Sequence, residues 1–312
     1  MRQREDSALT GLSVVFVKEL RDYLGSVRMK LLLSLIILTA LASTYGAASR
    51  IRALVGEHPF LLLSLFTAAR EPVPSFVAFL GFLIPLAGIA LGFDAINSEY
   101  NRGTLSRVLS QPIYRDALIV GKALAAVAAI AISLLALWLL IIGAGMLFFG
   151  IPPTGEQVAR AGSFYLMAVL YGAIWVVLSM LFSVLFAQPA TSALAALGAW
   201  LLMTVFWPIV AGVFAGLLGD PGSLAHAKAE VAFARISPNM IFGEVTLALL
   251  NPTTRTLGPV VFSQLEGAVM GNPLPLGVSL LLVWPHLSGL VAATLLLFAG
   301  TYVIFQRQEV RA

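Results

Sequence analysis

Between two long apolar runs, the segment Asn97 to Lys122 reads NSEYNRGTLSRVLSQPIYRDALIVGK and gathers Glu99, Arg102, Arg107, Arg115, Asp116 and Lys122. Charged side chains flanked by so much apolar chain must face water or a partner, because leaving them in hydrocarbon is costly. The chemistry these residues offer is recognition. Gly103 permits a turn and Thr104 caps a short helix. Leu105, Val108 and Leu109 share one face of that helix, and Pro112 discourages its continuation. Such a helix presents an apolar tip to a docking partner, with Glu99, Arg102 and Arg107 orienting it by charge. Arg115 and Lys122 are expected to anchor the loop to lipid phosphates.

Bond-making chemistry finds no comparable support. Gly121-Lys122 is followed by Ala123, and Asp116 stands where a phosphate-cradling G-x-x-x-x-G-K-[ST] loop needs its first glycine. Neither H-E-x-x-H nor G-x-S-x-G occurs, and no pair of buried carboxylates offers acid and base roles. The chain is therefore not expected to be an enzyme or to bind a cofactor. The 3 histidines are isolated and the 8 methionines scattered, so no metal relay is visible. His286, beside Trp284 and Pro285, reads as a satisfied interfacial histidine, with proton or metal binding as the other reading. Asp94 and Lys122, at the ends of apolar runs, are explained by snorkelling or by pairing with each other.

The elements that must position these residues follow from composition. With 59% hydrophobic residues, 11% charged residues and a mean hydropathy of +0.95, the chain departs from soluble domains, where about a quarter of residues are charged. Long unalternating apolar runs exclude a membrane barrel and predict an all-α integral membrane protein. Six spans are expected, over 29–49, 75–96, 123–149, 163–187, 191–217 and 280–305. Before them, residues 1–28 hold an amphipathic interfacial helix in which Leu12, Val15, Phe16 and Leu20 alternate with charge at helical spacing. Leu31 to Thr39 followed by Ala40-Leu41-Ala42 also resembles a cleaved leader, but the basic stretch ahead of it is long and amphipathic, which favours a retained first span. Phe60 to Ala69 is too short to cross and reads as an outer interfacial or re-entrant helix. Residues 219–279, with short helices at 228–236 and 240–250, read as a folded extracytoplasmic cap. Residues 29–312 would thus form one six-span domain, with 97–122 as its cytoplasmic loop. Most of the 19 Lys and Arg fall on the face that carries both termini and that loop, which marks this face as cytoplasmic. A net charge of +4 is too small and dispersed for nucleic acid, and no cysteine is present for disulfides.

The order Glu99, Gly103-Thr104-Leu105, Leu109-Ser110, Pro112, Arg115, Gly121-Lys122 resembles the first cytoplasmic loop of ABC-2 type ABC transporter permeases. The resemblance implies a coupling helix in this loop, seated in a groove of a separate ATP-binding subunit that carries the ATP and Mg. It further implies a second permease copy, as a homodimer or close heterodimer. The path would lie between halves, with spans one, two and five nearest it, in a bacterial or archaeal cytoplasmic (inner) membrane. Export is the expected direction. Two other functions stay open from sequence: a mechanotransmission subunit acting on an extracytoplasmic partner, and a gradient-driven transporter working alone. The latter predicts intramembrane charge pairs or broken half-helices.

Overall fold

A computed structural model describes residues 11–51, 60–67, 75–103, 114–150, 152–258 and 273–308. Among the described residues every regular element is a helix. The N-terminal helix α1 (Leu12–Gly25) starts at Gly11, whose φ of 89° is open to glycine, and stops where the Ser26 hydroxyl donates to the Tyr23 carbonyl at 2.7 Å. Among the described residues six helices are long and apolar enough to cross a bilayer. Span one is α2 (Val27–Ile51). Span two is α4 (Phe76–Gly92) continued through a tight turn into α5 (Asn97–Asn101). Span three is α6 (Arg115–Phe149) and span four is α7 (Gly155–Leu185). Span five is α8 (Pro189–Leu201), a π turn (Leu202–Phe206) and α9 (Trp207–Gly216), and span six is α12 (Leu276–Arg307). The short α3 (Leu61–Thr67) buries Leu62, Leu63, Leu65 and Phe66, so it is inserted among the spans and does not lie flat on them.

Local sequence sets the helix boundaries. Thr154 and Gln157 form a reciprocal capping box at the start of α7. Pro208 lacks the N–H that would bond the Thr204 carbonyl, and the Trp207 N–H bonds Leu202, five residues back. The wide turn in span five accommodates this proline, whereas Pro85 and Pro285 sit within continuous helices.

Span four is the axis of the bundle, with 67% of its most apolar window buried against 11% for spans five and six. Spans two and four run side by side because Gly88 and Gly92 let the backbones touch. A Cβ on Gly92 would come within 2.7 Å of the Val176 carbonyl oxygen, and one on Gly88 within 2.9 Å of the Trp175 Cβ. The pair Gly212 and Gly216 meets no such neighbour, the nearest atom being Glu230 Oε1 at 3.9 Å from a Cβ on Gly212.

The two helices between spans five and six are α10 (Leu224–Ala234) and α11 (Pro238–Leu250), close to where the sequence places them. They turn back into the bundle and do not rest on top of it. The Trp207 indole donates to the Phe233 carbonyl at 2.8 Å, and the Ser237 hydroxyl to the Met203 carbonyl at 2.7 Å. Met203 lies about 20 Å inward from Gly216 at roughly 1.5 Å per residue, so the turn between α10 and α11 reaches mid-bundle. There Phe242 stacks on Tyr171 with ring centroids 4.4 Å apart, and the Tyr171 hydroxyl reaches both Gly81 O and Asn239 Oδ1 at 2.9 Å.

At the outgoing end of α11, the Arg160 guanidinium, 0% exposed, donates to the carbonyls of Leu249 and Leu274 and to Ser279 Oγ, with Glu156 3.0 Å away. A cation at a helix C-terminus is favourable there, since the last carbonyls carry partial negative charge. Deeper in, Arg235, Glu244 and His286 form a cluster. Arg235 Nε donates to Glu244 Oε2 at 2.8 Å, and His286 Nε2 lies 2.6 Å from the same oxygen. His286 therefore joins span six to α11. The sequence, read alone, does not show this carboxylate beside it.

Candidate functional site

The end of the bundle that holds α1, the chain's last described residues and both flanks of the 104–113 loop carries the densest set of charge contacts. Thr104, Leu105, Arg107, Val108, Leu109 and Pro112 lie outside the described residues. Glu99, Arg102, Gly103, Arg115 and Lys122 are described, and they form the frame from which the loop springs.

Lys122 is the hub of that frame. Its ammonium sits 3.0 Å from Glu19 Oε1 of α1 and 2.7 Å from Glu99 Oε1 of α5, with the side chain only 4% exposed. The expectation that Lys122 reaches lipid phosphates is corrected: two carboxylates enclose it, because an ammonium this buried needs full compensation. Nor does it pair with Asp94, which takes Arg28 Nη2 at 2.6 Å. Glu99, assigned above to charge steering, is committed to the same hub. Arg102 and Gly103 are exposed, and Gly103 with φ 63° makes the expected turn.

Lys18 contacts Glu19 at 2.8 Å and Asp22 at 3.6 Å. Burial opposes the Glu19 charge, yet Lys122 and then Lys18 hold its carboxyl below the ordinary value of 4.5. Burial likewise pushes the neighbouring Tyr23 phenol well up. A depressed carboxyl contributes stability above its ordinary value and loses it as pH falls through the lower folded value. Melting of the detergent-purified protein should therefore shift to lower temperature as pH drops below 4.5, and Glu19→Gln should flatten that part of the profile.

The start of the loop is fixed to span four as well. The backbone N–H groups of Ile96 and Asn97 share Ser183 Oγ at 3.0 and 3.2 Å. Asn97 Nδ2 donates to Phe186 O at 3.1 Å, and Asn101 Nδ2 donates to Ala187 O at 2.8 Å. The far side of the loop is fixed to span six. Arg115 Nη1 donates to the Gln306 and Gln308 carbonyls at 3.3 and 3.1 Å, and its guanidinium lies over the Phe305 ring. Arg115 thus caps a helix end instead of standing free toward lipid. Asp116 accepts from the Tyr302 hydroxyl at 2.9 Å and from Gln306 Nε2. A cavity of about 260 Å³ opens between these anchors, lined by Ile96, Asn97, Tyr100, Phe186 and Gln308.

Sequence reasoning missed Glu19, Asn97, Asn101 and the span-six partners of Asp116. One signal was present: Glu19 sits four residues after Val15, on the apolar stripe of α1, where a carboxylate requires a buried cation. Among the described residues no group of three or more His, Asp or Glu is placed to hold a metal ion.

The description of the ABC-2 family transporter proteins matches residues 13–310, from α1 through the last span. The chain belongs to that family. It is a membrane permease subunit of an ABC transporter, a class whose ATP-binding subunit is a separate partner. The "Probable ABC transporter permease protein NosY" of Pseudomonas aeruginosa is 28% identical over 307 residues, covering 94% of this chain and 97% of that protein. The protein of the same description from Stutzerimonas stutzeri is 28% identical over 259 residues, covering 78% and 82% respectively. Both alignments take in most of the six-span bundle, so the resemblance is not confined to one apolar segment.

Proposed function

We propose that this ABC-2 permease exports its cargo as a pair of copies in a bacterial or archaeal inner membrane, with both termini cytoplasmic, driven through a coupling helix within Asn97–Asp116. The ATP-binding partner is docked by the apolar face of Leu105, Val108 and Leu109, with Arg102 and Arg107 setting orientation by charge. One observation carries this reading: the two flanks of the loop are gripped by different parts of the bundle. Lys122 joins its start to α1 and span three, while Arg115 and Asp116 join its end to span six. A loop that merely obeyed topology would need no such anchorage.

A push on the loop then moves two bodies at once. One is the α1, α5 and α6 assembly around Lys122. The other is span six, which grips α11 through His286 and Glu244 on the opposite side of the bundle. Closure of the ATP-binding partner would thus reach the re-entrant helices about 30 Å away without any nucleotide chemistry in this chain.

The test is Leu105→Asp, with Leu109→Asp as its companion, in the complex with the ATP-binding subunit. Each places a carboxylate in a desolvated contact and should cost about 2 kcal/mol or more of docking energy. The variants should remain in the membrane yet fail to co-purify with the subunit and fail to stimulate its ATP hydrolysis. Normal recruitment and normal stimulation by both variants would remove the coupling helix from this loop.

A further inference from the structure

We infer that the open cavity bordered by span two, the π turn of span five and the re-entrant helix α11 is a binding site for a neutral molecule with an apolar body and a hydrogen-bonding head. The cavity measures about 330 Å³, within the range of small-molecule sites. Val77, Phe82 and Phe242 supply apolar wall, and among the described residues no charged side chain lines it. An ion there would exchange its hydration for uncharged dipoles alone, which favours an uncharged occupant.

The polar groups in the wall are the deciding observation. A threonine or serine in a helix ordinarily returns its hydroxyl to the carbonyl four residues back, as Ser133, Thr294 and Thr301 do here at 2.7 to 2.8 Å. Thr246 is only 8% exposed, and its Oγ1 has no hydrogen-bond partner among the described residues; the buried Oγ1 of Thr204 has none either. Both line the cavity, Thr204 from within the π turn. Asn239 commits Oδ1 to the Tyr171 hydroxyl, which leaves Nδ2 to donate. Two unpartnered hydroxyls buried in the wall and an amide with a donor to spare match an alcohol, ester or amide head group that the threonines turn to meet.

Space is provided by a missing side chain. Gly243 lines the cavity, and a Cβ built there meets no atom within 4 Å. A side chain at this position starts in open space and takes up room in the site. The occupant has two sources with the same chemistry, a neutral bilayer lipid or the transported cargo. The site stands on its own geometry; its assignment to cargo rests on the transport function proposed above.

The experiment uses the full chain in lipid nanodiscs and a diazirine-bearing hexadecanol, beside its carboxylate and trimethylammonium counterparts of equal chain length. The alcohol should label residues 238–250 saturably. Gly243→Leu should lower that labelling by about five-fold or more, equivalent to about 1 kcal/mol of binding. Leu247→Ala, at a position of α11 outside this cavity, should leave it unchanged and serves as the folding control. Equal labelling by the charged analogues, absence of saturation, or undiminished labelling of a folded Gly243→Leu protein would overturn the site. In the complex with the ATP-binding subunit, hexadecanol that changes ATP hydrolysis in the wild type but not in Gly243→Leu identifies cargo. Labelling without any such change identifies bilayer lipid, and both results support the site. The labelling arm needs no partner subunit, so its failure leaves the docking proposal intact.

Discussion

Lys122→Met should yield little folded protein, and what is recovered should melt at markedly lower temperature than the wild type. The substitution removes one ammonium and strands two carboxylates, Glu19 and Glu99, that face it at 3.0 and 2.7 Å. Breaking a buried ion pair by deleting one partner costs about 3–5 kcal/mol, most of it from the uncompensated charge left behind. The same physics predicts the rescue. Glu19→Gln and Glu99→Gln added to Lys122→Met remove the three charges that meet at Lys122, and such neutral replacements are often close to isoenergetic with the original pair. Size-exclusion profiles across a heating series, read on the single and triple variants, check both arms. A Lys122→Met protein as stable as wild type would show that the hub does not hold α1 to the bundle. The triple variant also separates stability from coupling, because it should fold while stimulating the ATP-binding partner poorly, α1 and α5 no longer being tied to span three.

Arg160→Met should loosen the re-entrant helices while leaving the six spans assembled. The guanidinium is fully buried and supplies hydrogens to Leu249 O, Leu274 O and Ser279 Oγ. Each buried acceptor left without a donor costs about 1–3 kcal/mol, so a total on the order of 3 kcal/mol is expected. Glu156 adds little, being well exposed and able to take water. Arg160→Lys should recover only part of the loss, since an ammonium cannot span acceptors arranged around a planar fork. Amide hydrogen exchange gives the readout: protection over 238–250 should fall in Arg160→Met while protection in span four is retained. Unchanged exchange over 238–250 would mean that α11 is held by its apolar packing alone.

The spans were legible because each is a run of apolar residues of bilayer length, a property no tertiary contact can hide. The N-terminal helix was legible for a related reason, its apolar residues recurring at helical spacing. Depth was not legible for residues 224–250. Helix α11 is 13 residues long, too short to declare a crossing, and its position is set by long-range bonds from Trp207, Ser237 and Arg160. Sequence spacing carries no trace of those bonds. The Lys122 hub was hidden in the same way. Glu19 and Lys122 are far apart along the chain, and a lysine at the end of an apolar run looks identical whether it snorkels or is paired. The π turn was half legible, since Pro208 orphans a carbonyl in span five, yet Pro85 and Pro285 do the same inside continuous helices.

The contact between spans two and four constrains what can move. Because Gly88 and Gly92 bring backbone against backbone with no side chain between, any slide of one span along the other would drive atoms into overlap. These two spans are therefore welded into a single post, whose halves tilt together and cannot shear past each other.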